Sequence, residues 1–139
     1  MINGPLLHPD VLAALARSGH TGKVMVADGQ FPISTGIPAS VPRVFLNYAP
    51  DLLTVPQVLR PLVEATPIES VAATINDDGT QPPIWDDYRA VLPDDLPLVG
   101  VKASEFGPLL RHAALALVIA TADLRSNACI VLTLGRRMR

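Results

Sequence analysis

The chain has 139 residues, of which 49% are hydrophobic and 17% charged, with a net charge of −2. That length suits one compact domain, and that much apolar material excludes a disordered chain. The basic residues are scattered, and the one cluster, Arg136, Arg137 and Arg139, reads as a solvated tail. No electrostatic footprint for nucleic acid or an anionic membrane is present. A single cysteine, Cys129, excludes an internal disulfide and fits a reducing compartment. The N-terminus lacks the basic stretch and apolar run of a signal peptide. The longest apolar stretch, Ala113 to Ala120, is far short of the roughly 20 residues of a spanning helix. The expected location is the cytoplasm.

Residues Asp10 to Arg17 are predicted as the first helix, started by Pro9 and Asp10 and ended by Gly19, with Val11, Leu12 and Leu15 at helical spacing. Lys23 to Ala27, KVMVA, is a short buried strand with Asp28 at its C-terminal end. In open α/β sheets ligand groups collect at that edge. Gly29 to Pro42, with three prolines and two glycines, reads as an ordered loop. Thr54 to Ala65 is a second helix with Pro56 in its first turn, and Pro61 is expected to interrupt or kink it.

Val71 to Ile75 is a second strand, Asn76 to Pro83 a turn-rich loop, and Trp85 to Leu92 a short helix. Leu98 to Lys102 is a third strand. Ser104 is the expected cap of a helix that runs to about His112. Leu115 to Thr121 and Cys129 to Leu134 are the last two strands, separated by the polar loop ADLRSNA, Ala122 to Ala128. Strands that alternate with helices mean an α/β fold. With 14 prolines the chain breaks into short elements, which argues against a long-helix bundle. No repeat or linker divides it, so residues 1–139 are read as one domain.

Absences narrow the chemistry. The chain has no glycine-rich phosphate loop, no paired-cysteine metal site and no G-x-S-x-G elbow. His8, His20 and His112 are too far apart in sequence to suggest a ligand pair. His20 follows a glycine at the end of the first helix, where a cation is favoured, so a capping role accounts for it as well as a chemical one does. Asp28 lies in an Asp-Gly pair, itself a common turn. If the turn after the first helix feeds straight into the strand, His20 and Asp28 stand at its opposite ends, about 16 Å apart over five residues. One chain's pair then cannot act on one small ligand unless the loop curls back or another subunit completes the site. Cys129 reads as a buried strand residue with no neighbour to activate it.

The segment SGHTGKVMVADGQFP resembles the signature of the ribose pyranase and fucose mutarotase family (RbsD/FucU-like), in which a Gly-His pair is followed by a short apolar strand, Asp, and Phe-Pro or Leu-Pro. PIWDDYRAVL, Pro83 to Leu92, resembles the Pro-x-Trp-x-x-Tyr segment of its fucose mutarotase branch. LALVIATADLRSNACIVLTLG, Leu115 to Gly135, resembles the family's closing hairpin. The likeness covers most of the chain, in the right order and spacing.

The resemblance implies a single three-layer domain with a mixed, mostly parallel sheet flanked by helices. It implies an isomerase that interconverts anomers or ring forms of a free, fucose-like or related monosaccharide. No cofactor or metal is implied. The implied assembly is a homo-oligomer, a decamer built from pentamers, with sites at subunit contacts, which would resolve the distance between His20 and Asp28. By resemblance His20 is the catalytic acid/base and Asp28 a sugar ligand.

Two positions depart from the family. Its closing segment carries Tyr-Gly-Asn or Tyr-Ala-Asn where this chain has Asn127, Ala128 and Cys129. Counted back without gaps, its Arg or His falls at Glu105. With Asn127, Ala128, Cys129 and Glu105 as the remaining substrate-binding positions, the expected ligand is a sugar or sugar acid other than plain ribose or fucose, or the activity is weakened. Glu105 argues against an anionic ligand. A binding or regulatory module on the same fold and a purely structural oligomer remain alternatives.

Overall fold

A computed structural model describes residues 1–139, the side chain of His112 excepted. Its elements in chain order are α1 (Pro9–Ser18), β1 (Lys23–Ala27), α2 (Ile33–Gly36), β2 (Arg43–Phe45), α3 (Val55–Ala65), β3 (Ile68–Ile75), α4 (Ile84–Val91), β4 (Leu98–Lys102), α5 (Ala103–His112), β5 (Leu115–Ala120) and β6 (Ile130–Leu134). The six strands form one sheet in the order β2-β5-β1-β6-β3-β4. The pairs β1–β5, β2–β5 and β3–β4 are parallel, and β6 runs antiparallel to both its neighbours, β1 and β3. The sheet is therefore mixed and mostly parallel.

Side chains alternate along the central strands and feed two separate cores. Val24 and Val26 of β1, Leu117 and Ile119 of β5, and Ile130, Leu132 and Leu134 of β6 face one side. There Val11 of α1, Leu59 and Leu62 of α3, and Ile84, Trp85 and Tyr88 of α4 cover them. Met25, Ala27, Val118, Cys129 and Val131 face the other side against Phe106 and Leu110 of α5 and Ile37. Helices on both faces make three layers, and strands buried on both sides explain the unbroken apolar runs KVMVA and LALVIA.

Several local expectations change. The short strand β2 and the one-turn helix α2 lie in and just after the stretch read as loop; three and four residues carry no measurable periodicity. Helix α3 continues through Pro61 to Ala65, started by a capping box between Thr54 and Gln57. Ser104 is not a cap. It lies inside α5, and its backbone N–H donates to Asp77 Oδ1 at 3.0 Å, so the loop after β3 supplies the capping carboxylate. The closing segment is not a hairpin either, because β1 lies between β5 and β6. Loop 122–128 instead crosses the C-terminal end of β1. Gly29 N–H donates to the Asp123 carbonyl at 2.7 Å there, and a Cβ on Gly29 would lie 3.1 Å from that oxygen. Close backbone approach thus accounts for the glycine after Asp28. Among the described residues, no helix is long and apolar enough to cross a membrane.

The crossing loop is fastened by Asp123, whose side chain is fully buried. Its carboxylate accepts from Val55 N–H at the start of α3 (3.0 Å) and, in a two-pronged pair, from Arg125 Nε (2.9 Å) and a terminal guanidinium nitrogen (2.8 Å). Burial pushes this carboxyl up, but the bonds from Arg125 and Val55 outweigh burial and hold it below the ordinary carboxylate range. Arg125 is two-fifths exposed, so solvent screens part of the pair.

Asp123→Asn keeps the shape and loses the charge. It should lower stability at pH 7 by about 2 kcal/mol, read as a lower urea midpoint. A folded value below the ordinary 3.8 makes this advantage of the wild type full above that pH. It should shrink as pH falls through the depressed value of the folded protein. Equal midpoints for the two proteins at pH 7 would refute the role.

Candidate active site

Strand β1 ends at Ala27, and Asp28 follows at the C-terminal edge of the sheet with 6% of its surface exposed. Its Oδ1 accepts from Gln30 N–H at 2.9 Å, an Asx turn. Its Oδ2 accepts from Ala128 N–H at 3.0 Å and from the Cys129 thiol at 3.4 Å. Burial first, and the Asp28 charge next, push the Cys129 thiol well above its usual value, so it stays protonated and donates. The turn residue and the candidate ligand residue are the same carboxylate, held from both sides.

Asp28 lines a cavity of about 380 Å³, within the range of small-molecule sites. Its other walls include Gln30 and Phe31 from the following loop, Thr74 from β3, Phe106 from α5, and Asn127 and Cys129 from the loop before β6. With Ser126 beside Asn127, two aromatic residues, two amides, two hydroxyl residues and one carboxylate therefore line the same space. Among the described residues, Asp28 is the only charged one in this wall. Asn127 has a positive φ of 53°, which asparagine tolerates, and its Nδ2 donates to Asn76 Oδ1 at 2.9 Å. A second concavity opens beyond Phe31 and Pro32, also reaching Asp28 but bordered by Arg43 and Asn47.

Of the residues expected at the site, Asp28, Asn127 and Cys129 meet at one cavity. Ala128 is fully buried and contributes backbone only: its N–H holds Asp28 and its carbonyl accepts from Tyr88. Glu105 is exposed and outside the wall, where its helix neighbours Ala103, Phe106 and Gly107 stand. One residue is 100° on a helix, so the inward position of Phe106 turns Glu105 outward.

His20 is at the other end of β1. It lies in the turn between Gly19 and Thr21, with Thr21 N–H bonded to the carbonyl of Leu134, at the far end of β6. Its ring pairs with Glu69 at 2.8 Å. Within one chain His20 and Asp28 do not share a cavity, which agrees with the strand-length estimate.

Thr74, Phe31 and Phe106 were not singled out from the sequence. Thr74 carried a usable signal, a hydroxyl at the C-terminal end of an apolar strand. Its Oγ1 donates to the Cys129 carbonyl at 3.2 Å. The segment Pro83 to Leu92 acts on this wall from behind. Trp85 Nε1 donates to the Thr74 carbonyl at 2.9 Å, and the Tyr88 hydroxyl donates to the Ala128 carbonyl at 3.0 Å. Burial pushes the Tyr88 phenol up, so it serves as a donor and not as a base.

Residues 1–137 match the RbsD / FucU transport protein family. The chain belongs to that family. A fucose mutarotase of Mus musculus is 29% identical over 141 residues, which span 94% of this chain and 90% of that protein. A fucose mutarotase of Homo sapiens is 32% identical over 97 residues, 63% of this chain and 60% of that protein. Among solved structures, Bacillus subtilis RbsD complexed with D-ribose superposes with a TM-score of 0.83 at 22% identity, covering 99% of this chain and all of that one. The fucose mutarotase of Streptococcus pneumoniae in complex with L-fucose gives 0.81 at 19% identity, with the same coverage. The three-layer mixed sheet implied by the family resemblance is the fold of these proteins.

Tyr88→Phe removes the bond to the Ala128 carbonyl and leaves that oxygen buried without its donor. The expected cost is about 1–2 kcal/mol, measured as a lower thermal or urea midpoint. Unchanged stability would mean that Tyr88 does not brace the wall.

Proposed function

We propose that this chain is a cofactor-free isomerase that interconverts the anomers or ring forms of a free, neutral monosaccharide, fucose-like or related. The carrying observation is the Asp28 carboxylate, fixed by Ala128, Cys129 and Gln30 at the wall of a cavity that otherwise presents amides, hydroxyls and aromatic rings. Carboxylates and amides pair with sugar hydroxyls, and ring faces of Phe31 and Phe106 suit the apolar face of a sugar. The absence of Lys and Arg from this wall speaks against a sugar acid. Family membership, with curated relatives named fucose mutarotases, supports the same reaction class.

The chemistry needs one proton carrier. A base takes the anomeric hydroxyl proton, the bond between C1 and the ring oxygen breaks with its electrons going to that oxygen, and the oxygen is protonated. The open aldehyde turns about its C1–C2 bond and the ring closes on the other face. His20 is the proposed acid/base, since imidazole exchanges protons near neutral pH. Asp28 and Asn127 are the proposed hydroxyl ligands, with Cys129 and the Ala128 backbone holding Asp28 in place. Glu105 has no role in this reading. His20 reaches the cavity by assembly: one copy supplies Asp28 and a neighbouring copy supplies His20, in a homo-oligomer working in the cytoplasm.

A sugar-binding module without turnover is the second reading. It is favoured by the wall of the single chain, which among the described residues holds no imidazole and no phenol.

Saturation-transfer NMR over a panel of free sugars that includes L-fucose and D-ribose tests both. The enzyme reading expects faster anomer exchange for at least one neutral sugar, and a loss of about a hundredfold or more in His20→Ala and Asp28→Asn. Thermal stabilisation by a sugar without faster exchange would favour the binding module. Identical exchange rates for every sugar with wild type and His20→Ala, and no stabilisation, would defeat both.

A further inference from the structure

Glu69 and Arg136 lie 49 and 116 residues from His20 in sequence, yet the sheet gathers all three at one point. His20 precedes β1, Glu69 is the second residue of β3, and Arg136 follows β6, which lies between those two strands. Backbone bonds fasten the three segments. Thr21 N–H donates to the Leu134 carbonyl at 2.9 Å, Leu134 N–H to the Gly22 carbonyl at 2.8 Å, and Gly135 N–H to the Pro67 carbonyl at 2.8 Å.

Both ring nitrogens of His20 are engaged. Nε2 lies 2.8 Å from Glu69 Oε2, and Arg136 Nε lies 3.4 Å from Nδ1. A carboxylate only accepts and a guanidinium only donates. The two contacts therefore suit one neutral tautomer: hydrogen on Nε2, lone pair on Nδ1. The opposite tautomer sets a lone pair against the carboxylate and an N–H against the guanidinium.

We propose that Glu69 is a positioning residue that, with Arg136, holds His20 as the Nε2–H tautomer and so makes Nδ1 the nitrogen that exchanges a proton with the sugar. This rests on the acid/base role of His20 given above. Free of substrate, Nδ1 is occupied by Arg136 over a long 3.4 Å contact that a hydroxyl displaces. The anomeric O–H then donates to Nδ1, and Nδ1 takes its proton. As the C1–O bond breaks, the same Nδ1–H gives the proton to the ring oxygen. No further acid is consumed or released. While the ring carries that extra proton, the Glu69 carboxylate at Nε2 stabilises the imidazolium, as the orienting carboxylate of a catalytic triad does.

Two measurements test this. The ¹⁵N resonances of His20, recorded at alkaline pH, should show Nδ1 as the lone-pair nitrogen and Nε2 as the protonated one. In the Glu69→Ala/Arg136→Ala double variant they should average toward the tautomer mixture of a free imidazole, and Glu69→Gln, which keeps an acceptor, should retain the wild-type pattern. In anomer exchange, Glu69→Ala should lower kcat about tenfold or more, with KM nearly unchanged, and Glu69→Gln should recover most of the loss. Protonated Nδ1 in the wild type, or identical resonances in the wild type and the double variant, would overturn the inference. These outcomes separate it from the reading it rests on. A tautomer set by Glu69 together with unimpaired exchange in His20→Ala removes the acid/base role alone. Impaired exchange in His20→Ala with an unaltered tautomer in the double variant removes the role of Glu69 alone.

Discussion

One reversed strand organises both ends of the sheet. Five strands run parallel, so their C-terminal ends share an edge, and β6 runs the other way between β1 and β3. It must begin where its neighbours finish. Asn127, Ala128 and Cys129 are thereby delivered to the end of β1, where backbone N–H and thiol meet the Asp28 carboxylate, and to the end of β3, where Thr74 bonds the Cys129 carbonyl. It must also finish where they begin, which brings Leu134 to the turn at His20 and Arg136 to its ring. With β6 parallel to its neighbours, neither cluster would form.

The carboxylate at that edge has two uses that do not compete. It closes an Asx turn and anchors the loop before β6, while its position in the cavity wall leaves it within reach of a ligand. A carboxylate has about four lone-pair sites, and three are used by the protein. Each fixed bond removes freedom from the group that would otherwise have to be frozen on binding. Cys129 belongs to this arrangement: burial keeps its thiol protonated, and the protonated thiol is what Asp28 can use. The bracing goes one layer deeper through Trp85 and Tyr88, whose polar atoms hold the backbone on either side of the wall.

Much of this was legible in the sequence where the signal is local. Five of the six strands and four of the five helices fall within a few residues of their predicted bounds, because apolar runs, prolines and caps mark them directly. The three-residue β2 and the four-residue α2 were illegible because neither completes a period. Strand order was illegible for a different reason. Leu115 to Gly135 reads as two strands and a polar loop whether or not they pair, and only tertiary packing inserts β1 between them. The site divides in the same way. Asp28 could be named from its place at a strand end, whereas Asn127 and Cys129 could be named only through the resemblance of the closing segment to the family's. Glu105 was reached by counting back from the closing segment without gaps, which carries no information about helix facing; Glu105 is exposed, and the inward position on α5 belongs to Phe106. The cluster of His20, Glu69 and Arg136 could not be read at all, since nothing in three distant segments announces that a strand will bring them together.

Placing His20 and Asp28 at opposite ends of one strand has a genetic consequence under the proposed chemistry. If every site draws its imidazole from one copy and its carboxylate from the next, the contact between copies is head-to-tail, and such contacts close into rings when the rotation permits. A defective allele at one end then spoils a site it shares with its neighbour and spares the other half it contributes elsewhere. Two inactive alleles, one lacking only the imidazole and one lacking only the carboxylate, can meet in a mixed ring at a junction where both groups are intact. The locus would behave as one gene with two complementing halves, although the chain is a single domain.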